Sequence, residues 1–296
     1  MMKEKTIYAL GFFDGVHLGH AALLEACRWL AVEQSCRAGA VTFDGHPDTL
    51  VRGVTPPLIN TAADRQRLLT EAGMEAIFAI PFDRTLMNTP WQEFFRRLMT
   101  EYGAAGLVCG DDFRFGLRGE GTAEKLKAAC EEQGMPCIVV PQQSVDGIRI
   151  SSTHIRQLLE AGDVERAARF LGHPHILSGT VVPGKQLGRT IGIPTANLTL
   201  PEELVRLPFG VYACRVRIGE ESYWAVTNIG TRPTVNGVGV TVEPWILDFS
   251  GDLYGREITL EFHKFLRPER KFPSLEALQT EIRKNAEETR DFFKNK

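Results

Sequence analysis

From Thr6 to Val140 the chain alternates between two hydrophobic periods. Short apolar runs at Thr6 to Leu10, Gly39 to Phe43, Ala76 to Ile80, Ala105 to Cys109 and Cys137 to Val140 read as strands. The longer stretches between them, His20 to Glu33, Ala62 to Ala72, Pro90 to Tyr102 and Thr122 to Gln133, carry apolar residues at helical spacing; in the first, Leu23, Leu24, Cys27, Leu30 and Ala31 share one face. Such interleaving predicts an α/β domain with a parallel sheet and right-handed crossovers. Ligands of such sheets bind beyond the C-terminal strand ends. A helical pattern follows from Ser151 to Leu171, with Ile155, Leu158, Leu159 and Ala167 inward, and stops at Gly172-His173-Pro174-His175.

Beyond this break the runs become rich in Val, Thr and Ile and are punctuated by Gly and Pro: Ile176 to Val182, Gly210 to Ile218, Tyr223 to Asn228, Val238 to Asp248 and Glu257 to Phe265. They predict a small β-barrel. A last helix, Ser274 to Lys294, is entered through Pro273-Ser274 and presents Leu275, Leu278, Ile282 and Phe293 on one side. The expected architecture is therefore an α/β domain over residues 1–171 and a barrel with a terminal helix over 172–296. The length of 296 residues suits two domains, and 43% hydrophobic residues supply a core for each, which excludes a disordered chain.

The formal charge is −3, spread evenly over both halves, so no nucleic-acid partner is expected. No apolar stretch approaches the roughly 20 residues of a membrane span, and the N-terminus lacks a secretory pattern. With six cysteines at non-zinc spacings, the expectation is a cytoplasmic protein with reduced core thiols.

Two segments carry chemistry. Gly11-Phe12-Phe13-Asp14-Gly15-Val16-His17-Leu18-Gly19-His20 lies where the first strand hands over to the first helix. Its glycines allow close backbone approach, and the helix start offers unpaired N–H groups at the positive end of the dipole. Two histidines three residues apart can both donate to phosphate oxygens there. This is an anion site suited to phosphorus chemistry. Ser152 and Thr153 at a helix start, with Arg156 one turn on, make a second phosphate clamp.

The other segment is Gly184-Lys185-Gln186-Leu187-Gly188-Arg189-Thr190-Ile191-Gly192-Ile193-Pro194-Thr195-Ala196-Asn197. Gly179 to Lys185 fits the start of a GxxxxGK phosphate loop, but Gln186 stands where such a loop needs Ser or Thr, and Gly188, Gly192 and Pro194 forbid the helix that must follow. As a glycine-punctuated loop between strands, it ends in two neutral hard oxygens, Thr195 and Asn197, of the kind Mg²⁺ accepts.

The first segment resembles the HxGH signature of nucleotidyltransferases, and in its extended form it resembles the adenylyltransferase module of bacterial bifunctional riboflavin kinase/FAD synthetases. Thr42-Phe43-Asp44-Gly45-His46-Pro47, Gly110-Asp111-Asp112-Phe113-Arg114-Phe115-Gly116 and Ile150 to Arg156 are similar to further segments of that module. The second segment resembles the GxxxGRxxGxPTAN signature of riboflavin kinases, and Gly210 to Ala213, Asn228 to Thr234 and Glu243 with Leu247-Asp248-Phe249 extend the likeness. The resemblance implies a Rossmann-like nucleotidyltransferase domain followed by a riboflavin kinase barrel. The barrel would phosphorylate riboflavin with ATP to FMN, and the first domain would adenylate FMN to FAD, releasing pyrophosphate; the ligands are small molecules plus Mg²⁺.

By the same resemblance His17 and His20 bind ATP phosphates, with Gly11, Phe13, Asp14 and Gly15 forming their loop. Asp112 lies at the nucleotide or flavin pocket, and Ser152, Thr153 and Arg156 hold the triphosphate. Gly184, Gly188, Arg189, Gly192 and Pro194 form the kinase ATP loop, Thr195 and Asn197 hold Mg²⁺, and Glu243 is the base that takes the proton of the ribityl 5′-hydroxyl. Two departures from the family pattern are visible: Gly45 replaces a proline in TFxPHP, and Glu243-Pro244-Trp245 replaces ExH.

Overall fold

The structure, a computed structural model, describes residues 5–184, 188, 192–234 and 237–296. They fall into two compact units, 5–56 with 62–152, and 57–61 with 153–296.

In the first unit the elements are β1 (Thr6–Leu10), α1 (Leu18–Glu33), β2 (Arg37–Phe43), α2 (Asp48–Val51), α3 (Ala62–Glu71), β3 (Ala76–Ile80), α4 (Arg84–Met87), α5 (Trp91–Thr100), β4 (Ala104–Gly110), β5 (Arg114–Phe115), β6 (Gly121–Thr122), α6 (Ala123–Glu132), β7 (Cys137–Val140), β8 (Ser144–Val145) and β9 (Ile148–Arg149). The main sheet is parallel with order β3-β2-β1-β4-β7. Its central strand, Thr-Ile-Tyr-Ala-Leu, is buried at every residue, because a strand with neighbours on both sides and helices on both faces meets no water. The order reverses between β1 and β4. Their outgoing loops therefore diverge and leave a crevice at the strands' C-terminal ends, the position where parallel sheets hold ligands.

The five expected strands and four expected helices are all present within a few residues of their predicted ends. The short elements α2, α4, β5, β6, β8 and β9 were not expected; the helices have four residues and the strands two, little more than one hydrophobic period, which leaves no repeating pattern.

The second unit opens with α7 (Ser152–Glu160), whose Ser152 closes the first unit, and α8 (Val164–Leu171). The single helix expected over 151–171 is thus two. Gly162 takes φ 80°, and the Asp163 side chain accepts from the Arg166 N–H to cap a fresh helix, so one apolar pattern runs across a real break. The strands β10 (His175–Thr180), β11 (Leu198–Thr199), β12 (Gly210–Ile218), β13 (Glu221–Thr234), β14 (Gly237–Ile246) and β15 (Glu257–Pro268) form an antiparallel sheet of order β10-β15-β12-β13-β14-β11. Its edge strands β10 and β11 approach each other, which nearly closes the barrel.

The last helix, α9 (Leu275–Lys294), is capped by Ser274, a device worth about 1 kcal/mol. Its inward face differs from expectation. Asn285, Ala286, Thr289 and Phe293 are buried, with Ala286 against Val211, Val226 and Leu247 and Phe293 stacked on Trp224. Leu275 is 64% exposed, and Leu278 and Ile282 are only partly covered. The apolar residues of the helix's first half overhang a cavity; only its second half is packed on the barrel.

Candidate active sites

Beyond Leu10 the chain turns into α1 through a strained loop. Phe13, Gly15 and Val16 all take positive φ, at 59°, 81° and 40°. For a bulky or β-branched residue such backbone costs about 1–3 kcal/mol, and it persists only where packing enforces it. Phe13 and Val16 are both buried, which supplies that enforcement. The turn delivers His17 as the N-cap of α1, its Nδ1 accepting from the His20 N–H at 3.2 Å. A neutral His17 therefore carries its proton on Nε2.

The rings of His17 and His20 stack with centroids 3.6 Å apart and planes 8° from parallel, and Phe13 meets His20 edge-on at 5.2 Å. Gly19 permits this stack, since a Cβ there would lie 3.2 Å from the His17 ring. Burial drives the His20 pKa well below its usual value, and the neighbouring His17 acts in the same direction. His20 is thus held neutral, an N–H donor beside His17 at a helix N-terminus. The His20 Nδ1 is buried with no hydrogen-bond partner among the described residues.

These residues line a cavity of about 400 Å³ at the switch point of the sheet, with Gly11 and Phe12 on the β1 side and Gly110, Asp111 and Asp112 on the β4 side. Ser152 lines it too, its hydroxyl donating to the Asp14 carbonyl at 3.0 Å. Phe13, Asp14 and Gly15 are buried in the loop's base and do not line it. Both carboxylates on its wall are engaged: Asp112 pairs with Arg149 at 2.6 Å, and Asp111 accepts from the Gln142 N–H at 3.3 Å. Thr153 and Arg156 fall in the second unit, where Arg156 Nε donates to the Pro57 carbonyl at 2.6 Å.

A further cavity of about 860 Å³ shares Phe43, Pro47 and Arg114 with this pocket and is walled by Phe82, Phe94 and Phe115, with Leu50 and Val51 on its rim. The sequence reading did not single out this aromatic wall as a site; the Asp112-Phe113-Arg114-Phe115 run was its one visible trace.

In the second unit a cavity of about 450 Å³ lies between the barrel and the first half of α9. Its polar end holds Gly188, Thr195, Asn228 and Glu243. Asn228 on β13 and Glu243 on β14 are register partners, so both point into the same space. Its apolar end holds Trp245, Phe272, Leu278 and Ile282, and Arg267 and Arg270 lie 5.5 Å and 4.9 Å over the Phe272 ring. Glu281 accepts from Arg270 at 2.5 Å and lies 3.3 Å from Arg267, which fixes this rim.

The loop before β11 is tightly folded. The Ile193 N–H donates to the Gly188 carbonyl at 2.8 Å, and a Cβ on Gly188 would collide with the Ile193 carbonyl. A Cβ on Gly184 would likewise meet the Asn197 carboxamide. Gly192 takes φ 69°, Pro194 is exposed and Asn197 is buried. Arg189 lies outside the described residues. Asn228, Trp245 and Phe272 are site residues that sequence reasoning left out. Asn228 stood in a matched segment without a role, and Phe272 showed no signal apart from an aromatic before a helix start.

The family model described as FAD synthetase matches residues 1–154, and the one described as riboflavin kinase matches residues 171–293. The chain is 38% identical over 278 residues to a bifunctional riboflavin kinase/FMN adenylyltransferase of Pseudomonas fluorescens, covering 93% of this chain and 89% of that one. It is 36% identical over 294 residues to the protein of the same description from Escherichia coli strain K12, covering 98% and 94%. A solved structure described as a macrolide-efflux protein from Streptococcus pneumoniae superposes with a TM-score of 0.87 at 32% identity, covering 98% of this chain and 95% of that one. No helix of the described residues is long and apolar enough to cross a membrane.

Proposed function

Because the chain belongs to the family of bifunctional riboflavin kinase/FMN adenylyltransferases, phosphorylating riboflavin to FMN and adenylating FMN to FAD, we propose that its two reactions run at the two constellations just described, each with its own ATP. The observation that carries this reading is that each unit sets phosphate-binding features beside an apolar or aromatic wall within itself, across two cavities with shared walls in the first unit and in one cavity in the second.

In the first unit the nucleophile is a phosphate oxygen of FMN. It forms a bond to the α-phosphorus of ATP as the bond to the pyrophosphate oxygen breaks. The attacking group is already an anion, so no base is needed, in keeping with pocket carboxylates that are held by Arg149 and the Gln142 N–H. His17, His20 and the α1 N-terminus donate to the phosphates and stabilise the leaving pyrophosphate. Ser152, on the cavity wall, holds the triphosphate with them. The isoalloxazine ring stacks in the wall of Phe82 and Phe115, in the cavity that shares Arg114 with the phosphate pocket walled by Asp112.

In the barrel the nucleophile is a neutral hydroxyl, and a base is required. Glu243 takes the proton of the ribityl 5′-hydroxyl as its oxygen attacks the γ-phosphorus, and ADP leaves; Asn228 orients the hydroxyl from the paired strand. Trp245, Phe272, Leu278 and Ile282 cover the flavin ring, which accounts for a helix whose apolar first half is left off the barrel. Gly184, Gly188, Gly192 and Pro194 shape the nucleotide loop. The donor set here fits Mg²⁺: Thr195 faces the cavity, Asn197 is two residues on, and both offer neutral hard oxygens that leave room for phosphates and water. Thr195 and Asn197 would hold the ion, which would supply charge neutralisation at the transferred phosphoryl group.

Calorimetric titration of the full-length protein with a non-hydrolysable ATP analogue and Mg²⁺ tests the two-site reading. It should saturate at two nucleotides per chain, with one of them lost in His20→Ala. A single nucleotide per chain would mean a shared ATP site and would end it.

A further inference from the structure

Arg65 belongs to neither cavity, yet it is a buried charge, 4% exposed in the first turn of α3. Its Nη2 donates to the Phe43 carbonyl at 2.7 Å, and its guanidinium carbon lies 4.3 Å over the Phe12 ring. Phe12 follows β1 and Phe43 ends β2, and both line the 400 Å³ cavity. The same knot includes the Thr42 hydroxyl, which donates to the Phe12 carbonyl at 2.9 Å, and the His46 ring, edge-on to Phe12 at 4.7 Å. Asp44 adds β3, accepting from the Phe82 N–H at 3.0 Å while its own N–H donates to the Ile80 carbonyl at 3.1 Å.

The exits of three adjacent strands are thus joined under the phosphate loop, and Arg65 supplies the guanidinium of the joint. Burial pulls its pKa down, and the carboxylates of Asp14 and Asp44 pull it up. An apolar side chain of similar length would fill the space without the cost of burying a charge, so packing alone is a poor reason for arginine here. A planar cation does two things Met cannot: it faces an aromatic ring, and it makes a charge-assisted hydrogen bond to a carbonyl.

We propose that Arg65 is a positioning residue for adenylyl transfer, fixing Phe12 and Phe43 and through them the phosphate-binding wall of the cavity, without touching substrate. The proposal rests on the first unit being the FAD-forming site. The geometry of such a wall matters because a displacement of about 1 Å in a reacting group can cost on the order of 100-fold in rate.

The test uses the full-length protein and measures FMN formation from riboflavin and FAD formation from supplied FMN separately, for Arg65→Met, Arg65→Gln and Arg65→Lys. Arg65→Met should lower kcat for FAD by about 10-fold to 100-fold, with KM for ATP changed by less than about threefold, while FMN formation is unchanged. Arg65→Lys, which keeps a cation over Phe12 and a donor to Phe43, should recover most of the loss. Arg65→Gln should stay impaired, and it carries the test if the Met protein does not accumulate. Three outcomes overturn the proposal: FAD formation by the Met protein at the wild-type rate, equal losses of both activities, or a Lys protein no better than Met. Retention of FAD formation by His20→Ala sinks instead the reading of the site itself, whatever the Arg65 variants do.

Discussion

In the proposed reading the two units meet the same demand, holding a triphosphate beside a flavin, with opposite materials. In the first unit the binding features belong to the backbone. A parallel sheet reverses its order, a loop with three positive φ angles follows, and a helix N-terminus carries two stacked histidines, of which burial and the neighbouring ring keep His20 neutral. In the second, the frame is an antiparallel barrel. The features are side chains on paired strands, Asn228 and Glu243, and a loop folded close enough that Gly188 and Gly184 admit no Cβ. The difference follows the nucleophile. An anionic phosphate needs its repulsion with ATP neutralised, whereas a neutral hydroxyl needs its proton removed. Each pocket is furnished for one of these tasks.

That contrast is broken most directly by exchanging the losses. Glu243→Gln keeps the shape and hydrogen-bonding reach of the side chain but removes the base; FMN formation should fall by about 10²–10⁴-fold, with FAD formation from supplied FMN intact. His20→Ala should give the mirror image, an FAD loss of about 10²–10³-fold with FMN formation spared. Chromatography of flavins from both proteins reads both effects at once. If either substitution depresses both activities alike, the division of labour between the units is wrong.

What the sequence disclosed divides along the same line. The α/β pattern was legible strand by strand, since buried parallel strands and amphipathic helices write their periods over five to sixteen residues, and the Gly11 to His20 loop sits where β1 must hand over to α1. The candidate site's side walls were not legible. Phe82, Phe94 and Phe115 come from three separate segments that only the fold brings together, and each alone reads as core. The terminal helix shows the converse. Its Leu275, Leu278 and Ile282 obey the helical period as a core face would, but the barrel is packed by Ala286 and Phe293, and the earlier residues overhang a cavity. Periodicity reports that a face is apolar and is silent on whether protein or ligand covers it. The break at Gly162 was hidden for a related reason, because α7 and α8 both bury apolar faces and the pattern runs through the turn.

A gentler probe of the contrast is pH. His20 has a depressed pKa in the folded protein, so the unfolded chain takes up that proton first as pH falls. Folded stability from this group is therefore fully present above the unfolded value of about 6.5 and is lost as pH drops from there toward the folded pKa. The slope it contributes is at most one proton, about 1.4 kcal/mol per pH unit. Thermal unfolding of wild type and His20→Asn between pH 7.5 and 5.5 isolates it, because every other group titrates in both proteins. The wild-type curve should fall more steeply on acidification. Parallel curves would mean that His20 is not held neutral, and that the site works with a cation there instead.

The smallest effect concerns Gly45, which stands where the family pattern has proline. Near it, at Phe13, Gly15 and Val16, the loop backbone is forced into the left-handed region. Gly45 is not: its φ lies outside that region, and a Cβ built on it meets no atom within 4 Å. The loop it opens is held by its neighbours, His46 Nδ1 accepting from the Asp48 N–H at 3.1 Å and the His46 ring lying against Phe12. Glycine here contributes only freedom to the unfolded chain. Gly45→Ala should stabilise the protein by about 0.4–1 kcal/mol and raise Tm by roughly 1–3 °C, with both flavin-forming activities unchanged. Gly19→Ala is the natural control, since its Cβ would press on the His17 ring and FAD formation should drop while FMN formation holds. If Gly45→Ala lowers FAD formation as well, the loop after β2 must move during adenylyl transfer, and the first unit's site would be less preorganised than its strained phosphate loop implies.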